Sequence, residues 1–353
     1  MNNDQLYKVW FSSLNMKYEF KRRLLENLES EEAVYMYLLG DDNYTGIATR
    51  SYNAAKEHLD LEKHKETLKK MERIGARVIS CYEKDFPKQL NNFKDSPSNL
   101  FYIGDISRIN NVSASIVGAR KNSDYGRRVT EEIVDELVKS EINIVSGLAT
   151  GIDELAHRYA IKFGGYTVGI IGCGIDRIYP VSNEYLYKAL YKKGVVISEF
   201  YPGTPPLKFN FPERNKVIAR IGDGIIVIEA AEKSGSLITV NHGLDSGRDI
   251  IAVPNPITSN NSRGVNRLIY DGAIPYVDRD TLKDVFCIYN KKVVRLTNEE
   301  ERILGVLSNN PMHIDDLSNI VKVDIPGIYN VLFELQAKKL VTVIGNSYYI
   351  KNN

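Results

Sequence analysis

The chain has 353 residues, enough for two or three domains, and its 43% hydrophobic and 26% charged content is that of a folding globular protein. Lys+Arg 46 against Asp+Glu 45 leaves a net charge of +1, which excludes a uniformly basic polyanion binder: any such role needs cations gathered locally. No apolar run approaches a membrane span, and the opening MNNDQLYKVW lacks a signal pattern, so a cytoplasmic protein is expected, without membrane contact.

From Asp4 to about Arg73 apolar residues recur at three- and four-residue steps, as in Leu24, Leu25 and Leu28. This predicts a small helical domain over residues 1–75, of SAM or helix-hairpin-helix type. Residues 76–102, with Pro87, Pro97 and a Ser-Pro-Ser run, predict a strand-poor connector. The character then changes over 103–290. Short β-rich runs recur at Ser115–Val117, Ile142–Ser146, Thr167–Ile171, Val195–Ser198, Gly224–Ile228 and Asp249–Val253, separated by helical stretches. One stretch sets Val129, Ile133 and Leu137 on a single face. Apolar strands alternating with helices predict an α/β domain: a doubly wound, Rossmann-like parallel sheet covered on both faces. Over 291–353, helices from about Asn298, over Ile314–Val321 and from Pro326 precede a hairpin of Leu340–Ile344 and Ser347–Ile350 turning at Gly345-Asn346. Three helices and a hairpin are the winged-helix pattern.

The glycines carry the functional signal. Strand ends run into Gly118-Ala119-Arg120, Ser146-Gly147-Leu148-Ala149-Thr150-Gly151, Gly172-Cys173-Gly174 and, after Glu229, Ser234-Gly235-Ser236. In a parallel sheet these turns share the carboxyl edge, where ligands bind at the reversal of strand order. Glycine admits close backbone approach, and helix starts favour anions. The dinucleotide spacing is incomplete and no GxxxxGK[ST] occurs, so neither a nicotinamide or flavin cofactor nor a P-loop is indicated. What remains is cations interleaved with aromatics. Arg120 and Lys121 follow the first turn, and Lys208-Phe209-Asn210-Phe211-Pro212-Glu213-Arg214-Asn215-Lys216 precedes a predicted short helix. Such a mixture holds single strands by phosphate neutralisation and base stacking.

Catalysis is weakly supported. His157 and His242 have no nucleophile or paired carboxylate at a motif spacing, and Asp153 suits a helix start. Cys81, Cys173 and Cys287 show no metal or disulfide spacing, and no metal is expected; Cys173 sits in a tight turn as a small residue.

At these positions the chain resembles the DprA/Smf family, DNA-processing protein A. The resemblance rests on Val117-Gly118-Ala119-Arg120, SGLATGID from Ser146, Tyr179-Pro180, Ser198-Glu199, FPERN from Phe211, SGSLIT from Ser234 and Gly264-Val265-Asn266. It implies a non-catalytic, dimeric binder of single-stranded DNA that loads the RecA recombinase during natural transformation. Arg120, Lys208 and Arg214 would be the phosphate contacts, Phe211 would stack a base, and Asn215 lies in the same motif. Gly118, Gly147, Gly151, Ser234, Gly235 and Ser236 would form the backbone pocket, and Val265, Leu268 and Ile269 the dimer helix. Asn255 stands where the family usually has Gly, and Ala119 where Ser is common. The alternative is a nucleotide-binding or nucleotide-hydrolysing Rossmann protein of lysine-decarboxylase-like type, whose PGGxGTxxE loop ends in an acid; Ser234–Asn241 carries none. A scaffold that never touches DNA is a third reading. In the C-terminal unit, the segment from Val323 to Ile328 offers no Arg or Lys to base edges and Asp324 repels phosphate, favouring a protein-contact or accessory role.

Overall fold

The structure, a computed structural model, describes residues 2–40, 55–56, 58–287, 296–308, 310–338, 340–345 and 347–351. The chain divides into two compact units, Met1–Ile288 and Tyr289–Asn353.

The first unit opens with helices α1 (Asn3–Ser13), α2 (Tyr18–Leu28), α3 (Glu31–Leu39) and α4 (Glu62–Arg73). Ser30 caps α3 by accepting from the Ala33 amide at 3.1 Å. Trp10, Phe11, Leu24, Leu25, Val34 and Leu38 form a small core of their own. The helices are nevertheless fastened to the sheet. Arg22, buried, donates to the carbonyls of Ser96 at 2.8 Å and Pro97 at 2.7 Å, and the Tyr18 hydroxyl donates to Glu199 Oε2 at 2.6 Å.

Residues 76–102 are not strand-poor. They hold β1 (Arg77–Ser80), a helical turn α5 (Lys88–Asn91) and most of β2 (Asn99–Gly104). β1 and β2 pair antiparallel, Val78 opposite Phe101 and Ile79 opposite Leu100. Both prolines fall between the strands, where they break no ladder, and so mask two runs that are themselves apolar.

The expected strands all form: β3 (Ser113–Val117), β4 (Asn143–Ser146), β5 (Thr167–Ile171), β6 (Val195–Ser198), β7 (Gly224–Val227) and β8 (Asp249–Ala252), followed by β9 (Ile274–Pro275). The nine-stranded sheet runs β1-β2-β6-β5-β4-β3-β7-β8-β9, parallel from β6 to β9, with β2 antiparallel to β6. The crossover helices are α6 (Asp124–Lys139), α7 (Ile152–Lys162), α8 (Glu184–Lys193), α9 (Asn210–Ile221), α10 (Ser236–Asp245) and α11 (Arg263–Tyr270), with α12 (Arg279–Val285) closing the unit. Ile133 and Leu137 of α6 and Ala156 and Ala160 of α7 cover one face of the sheet; Val217, Ile218 and Ile221 of α9, with Val240 and Val265, cover the other. This is the doubly wound α/β fold. Sequence order reverses between β3 and β7, which opens a crevice at their carboxyl ends.

The second unit contains α13 (Asn298–Val306), β10 (Met312–His313), α14 (Ile314–Val321), α15 (Ile325–Ala337), β11 (Val341–Gly345) and β12 (Tyr348–Lys351). β10 adds a third strand to the expected hairpin, pairing with β12. Ile303, Leu304, Leu317, Ile328, Leu332 and Leu335 make its core. Asn346 of the expected turn and Lys291 of the connector lie outside the described residues.

Candidate nucleic-acid interface

The crevice between β3 and β7 holds a cleft of about 620 Å³. Gly118 and Arg120 come from the β3 turn, Ser234, Gly235 and Ser236 from the start of α10, and Lys208, Phe211, Arg214 and Asn215 from the start of α9. A recess of about 200 Å³ adjoins it, sharing Arg120, Phe211 and Arg214 and reaching Gly147, Gly172 and Tyr179. Of the expected DNA-contact residues, Gly151 alone lines neither space. The segment expected to precede a helix belongs to one from Asn210 onward, so Arg214 and Asn215 sit in its first turns.

Two glycines are obligatory. Gly151 has φ +83°, and a Cβ there would fall 2.3 Å from the Ala119 carbonyl oxygen; it closes the β4 turn against the β3 turn. A Cβ on Gly147 would lie 2.2 Å from Arg214 Nη1 and 2.6 Å from Asp153 Oδ2. Beyond the cleft, Asn255 has no need of glycine's freedom, since its φ is not positive. Its side chain instead bridges the carbonyls of Ile228 at 2.9 Å and Val253 at 3.0 Å.

The three proposed cations differ sharply. Arg120 and Lys208 are exposed and make no ion pair among the described residues. Arg214 is only 5% exposed. Its Nη1 donates to the carbonyls of Gly147 and Ile170, the latter at 2.7 Å, tying the ends of β4 and β5 together. Thus it does not stand free as a phosphate contact like the other two. Its Nε, however, is buried with no acceptor in the protein. Burial lowers the Arg214 pKa, opposed by Asp153; burial likewise raises Asp153, opposed by Arg214 and by the Ala149 amide. Asp153 is the one acid among the described residues lining the cleft.

Phe211 is half-buried, its ring 5.7 Å from that of Tyr179 and seated over Gly172. Tyr179, 45% exposed, lines both spaces and was not singled out as a contact from sequence, although an aromatic just beyond a strand-end Gly turn is the available signal. Phe209, 70% exposed, is the more open aromatic of the Lys208 segment. Asn215 reaches across to the Gly235 carbonyl at 3.3 Å, and the Ser234 and Ser236 hydroxyls lie 2.7 Å apart.

Other candidates face elsewhere. His157 is fully buried, 2.7 Å from the Thr167 hydroxyl, and burial lowers its pKa to about 3. Burial pushes the Cys173 thiol up to about 11, so it is not a ready nucleophile. Glu229 accepts from the Ser123 amide at 2.9 Å and from its hydroxyl, fixing the start of α6 rather than facing the cleft. Glu199 is held under α2 by Tyr18, and burial raises its pKa to about 7. Val265 lies wholly within the core and cannot reach another subunit; Leu268 and Ile269 are half-buried against the same core. Among the described residues no His, Cys, Asp and Glu cluster is arranged to hold a metal, and no helix is long and apolar enough to cross a membrane.

Residues 77–286 match the family model described as DNA recombination-mediator protein A. The chain is similar to the DNA processing protein DprA of Streptococcus pneumoniae, 41% identical over 281 residues covering 77% of this chain and 94% of the relative. It is also similar to Protein Smf of Escherichia coli, 36% identical over 58% of this chain and 55% of that one. Among solved structures, DNA processing protein A from S. pneumoniae superposes with a TM-score of 0.67, at 32% identity, over 80% of this chain and 98% of its own. DNA processing protein A from Helicobacter pylori, whose structure is described as revealing a single-stranded DNA binding mode, gives 0.55 at 26% identity, over 60% and 95%.

Proposed function

The chain belongs to the DNA recombination-mediator protein A family, and on that premise we propose that it grips single-stranded DNA in the cleft between β3 and β7. Arg120 and Lys208 neutralise successive phosphates. The amides of the Gly118, Gly147 and Gly235 turns donate to phosphate oxygens, with the Ser234 and Ser236 hydroxyls beside them. Phe211, with Tyr179 beside it, stacks a base. Arg214 sets the floor and offers its buried Nε–H, while Gly151 and Asn215 keep the turns in register. The grip involves no bond making or breaking. One observation carries this reading: two free cations and an orphaned buried guanidinium N–H converge where strand order reverses, at a cleft whose one acid among the described residues is buried. The single-stranded DNA binding mode of the H. pylori relative supports it.

As a recombination mediator in the cytoplasm, the protein would pair through α11 with a second copy, using Leu268 and Ile269 while Val265 anchors the helix from within. The paired molecules would hand the bound strand to RecA. The C-terminal unit, read as a winged helix, serves protein contact rather than duplex reading.

The test is an anisotropy titration of a labelled oligothymidylate against salt. Arg120→Glu with Lys208→Glu is expected to weaken binding by tens-fold and to flatten the slope of log K against log salt by about 0.7 for each lost contact. Unchanged affinity and slope would leave the protein a scaffold.

A further inference from the structure

Residues 199–209 join β6 to α9, and their far end is the arm that brings Lys208 to the cleft. The arm is stiff. Pro202, Pro205 and Pro206 fix their own φ angles, and the backbone around them is tied down at several points. The Gly203 amide donates to Asp176 Oδ1 at 2.7 Å, and the Thr204 carbonyl accepts from the Gly174 amide at 2.9 Å. The Tyr201 hydroxyl lies 2.9 Å from His64 Nδ1. Where the arm ends, the Asn210 side chain donates to the carbonyls of Gly172 at 3.1 Å and Pro205 at 3.2 Å.

What this arm presents to solvent is a bare aromatic ring. Phe209 is 70% exposed, joins no hydrophobic core, and has no ring or cation against its face among the described residues. It stands immediately before α9 but makes no capping hydrogen bond. The ring therefore serves neither the core nor the helix start. Phe211, two residues on, is seated over Gly172 and lines both the cleft and the recess, whereas Phe209 lines neither.

Its neighbours say what it would meet. Lys208 is a free cation at the cleft, and Leu207, 39% exposed, adds carbon on the other side. The acid one turn along the helix, Glu213, is paired with Lys216 at 3.3 Å. An aromatic face beside a free ammonium group suits a base whose phosphate the ammonium holds. The π face accepts any base, and a ring carried on a fixed backbone loses little freedom on stacking. An apolar protein surface seated on Phe209 would cover the Lys208 ammonium as well, at a desolvation cost that a phosphate avoids.

We propose that Phe209 is a second stacking platform, outside the cleft, which takes a base of the single strand as it passes Lys208, an inference that rests on the cleft holding DNA. One base then lies inside on Phe211 and another outside on Phe209.

Phe209→Trp supplies the probe, because the chain's single tryptophan, Trp10, is wholly buried among the N-terminal helices. Oligothymidylate should quench the introduced indole in step with the anisotropy of the labelled strand. Phe209→Ala and Phe209→Leu should each bind about fivefold more weakly than the parent, or worse, and Phe209→Trp at least as well. On an abasic sugar-phosphate oligomer the parent and Phe209→Ala should bind alike; an equal loss on both strands would overturn the platform. If binding survives Arg120→Glu with Lys208→Glu, the cleft reading and the platform fall together. If it is lost there, while Phe209→Ala binds like the parent or the indole stays bright on bound DNA, the platform alone falls. A drop in light-scattering mass on Phe209→Ala would overturn it too, by assigning the ring to a second copy.

Discussion

The carboxyl edge of the central sheet and the outer face of α15 are both unsatisfied surfaces, but they lack different things. The edge is built from backbone turns and guanidinium or ammonium groups, and its unmet need is polar: the buried Arg214 Nε without an acceptor, beside the exposed Arg120 and Lys208. The α15 face is built from the exposed side-chain carbon of Ile325, Tyr329 and Phe333, and its unmet need is burial. A donor-rich site selects an anion, whereas an apolar face is stabilised by being covered, so the two surfaces of one chain answer to different forces.

The largest expected effect comes from removing the charge at the floor of the cleft. Arg214→Met takes away the positive charge nearest buried Asp153 and two main-chain hydrogen bonds, and should cost about 3 kcal/mol in urea unfolding. A loss under 1 kcal/mol would mean the guanidinium is not structural, and would return it to the freely exposed cations. Phe333→Glu on the other surface should leave stability unchanged, which sharpens the contrast.

Glu199 comes next. Burial raises its folded pKa from the ordinary 4.5 to about 7, so the stability of the neutral, buried form is complete below about pH 4.5. It is lost as pH rises to 7, because the unfolded chain ionises first; the linkage amounts to on the order of 3 kcal/mol. Lys21, buried and lowered to about 7, acts in the opposite sense above pH 7, where stability recovers as pH rises. Denaturation across pH 4.5–7 should therefore flatten in Glu199→Gln; an unaltered profile would show that α2 is not latched to the sheet through Tyr18.

Phe211→Ala should weaken single-stranded DNA binding by about tenfold, the worth of one stacked base, with Tyr179→Ala similar or smaller, both read by anisotropy. The smallest effect is expected from ending the chain before Leu296. Affinity for a short oligothymidylate should stay within about twofold, and a larger fall would erase the distinction between the two surfaces.

Much of this was legible in the sequence. The six expected strands show as apolar runs, four of them (β3, β4, β5 and β6) running into Gly or Ser, because a strand buried on both faces admits little but apolar residues. Convergence of the turns follows from that topology. Hidden features depend on what packs against what. β1 and β2 were obscured by Pro87 and Pro97, which sit in the loop between them. Arg214 looks like a surface cation in FPERN, yet the helix starting at Asn210 turns it inward onto the Gly147 and Ile170 carbonyls. Val265 likewise shares a helix with Leu268 and Ile269 but faces the core. Spacing alone does not say which side of a short helix the chain will cover.

Where the strand lies is the central claim, and photocrosslinking locates it. An oligonucleotide carrying 5-iododeoxyuridine is irradiated with the full chain and the adducts mapped by mass spectrometry. Adducts at Phe211, Tyr179 or Phe209, lost in the Arg120→Glu, Lys208→Glu protein, are the predicted result. Adducts concentrated around Arg108 and Lys139 at the amino edge of the sheet, or on α15, would contradict the account.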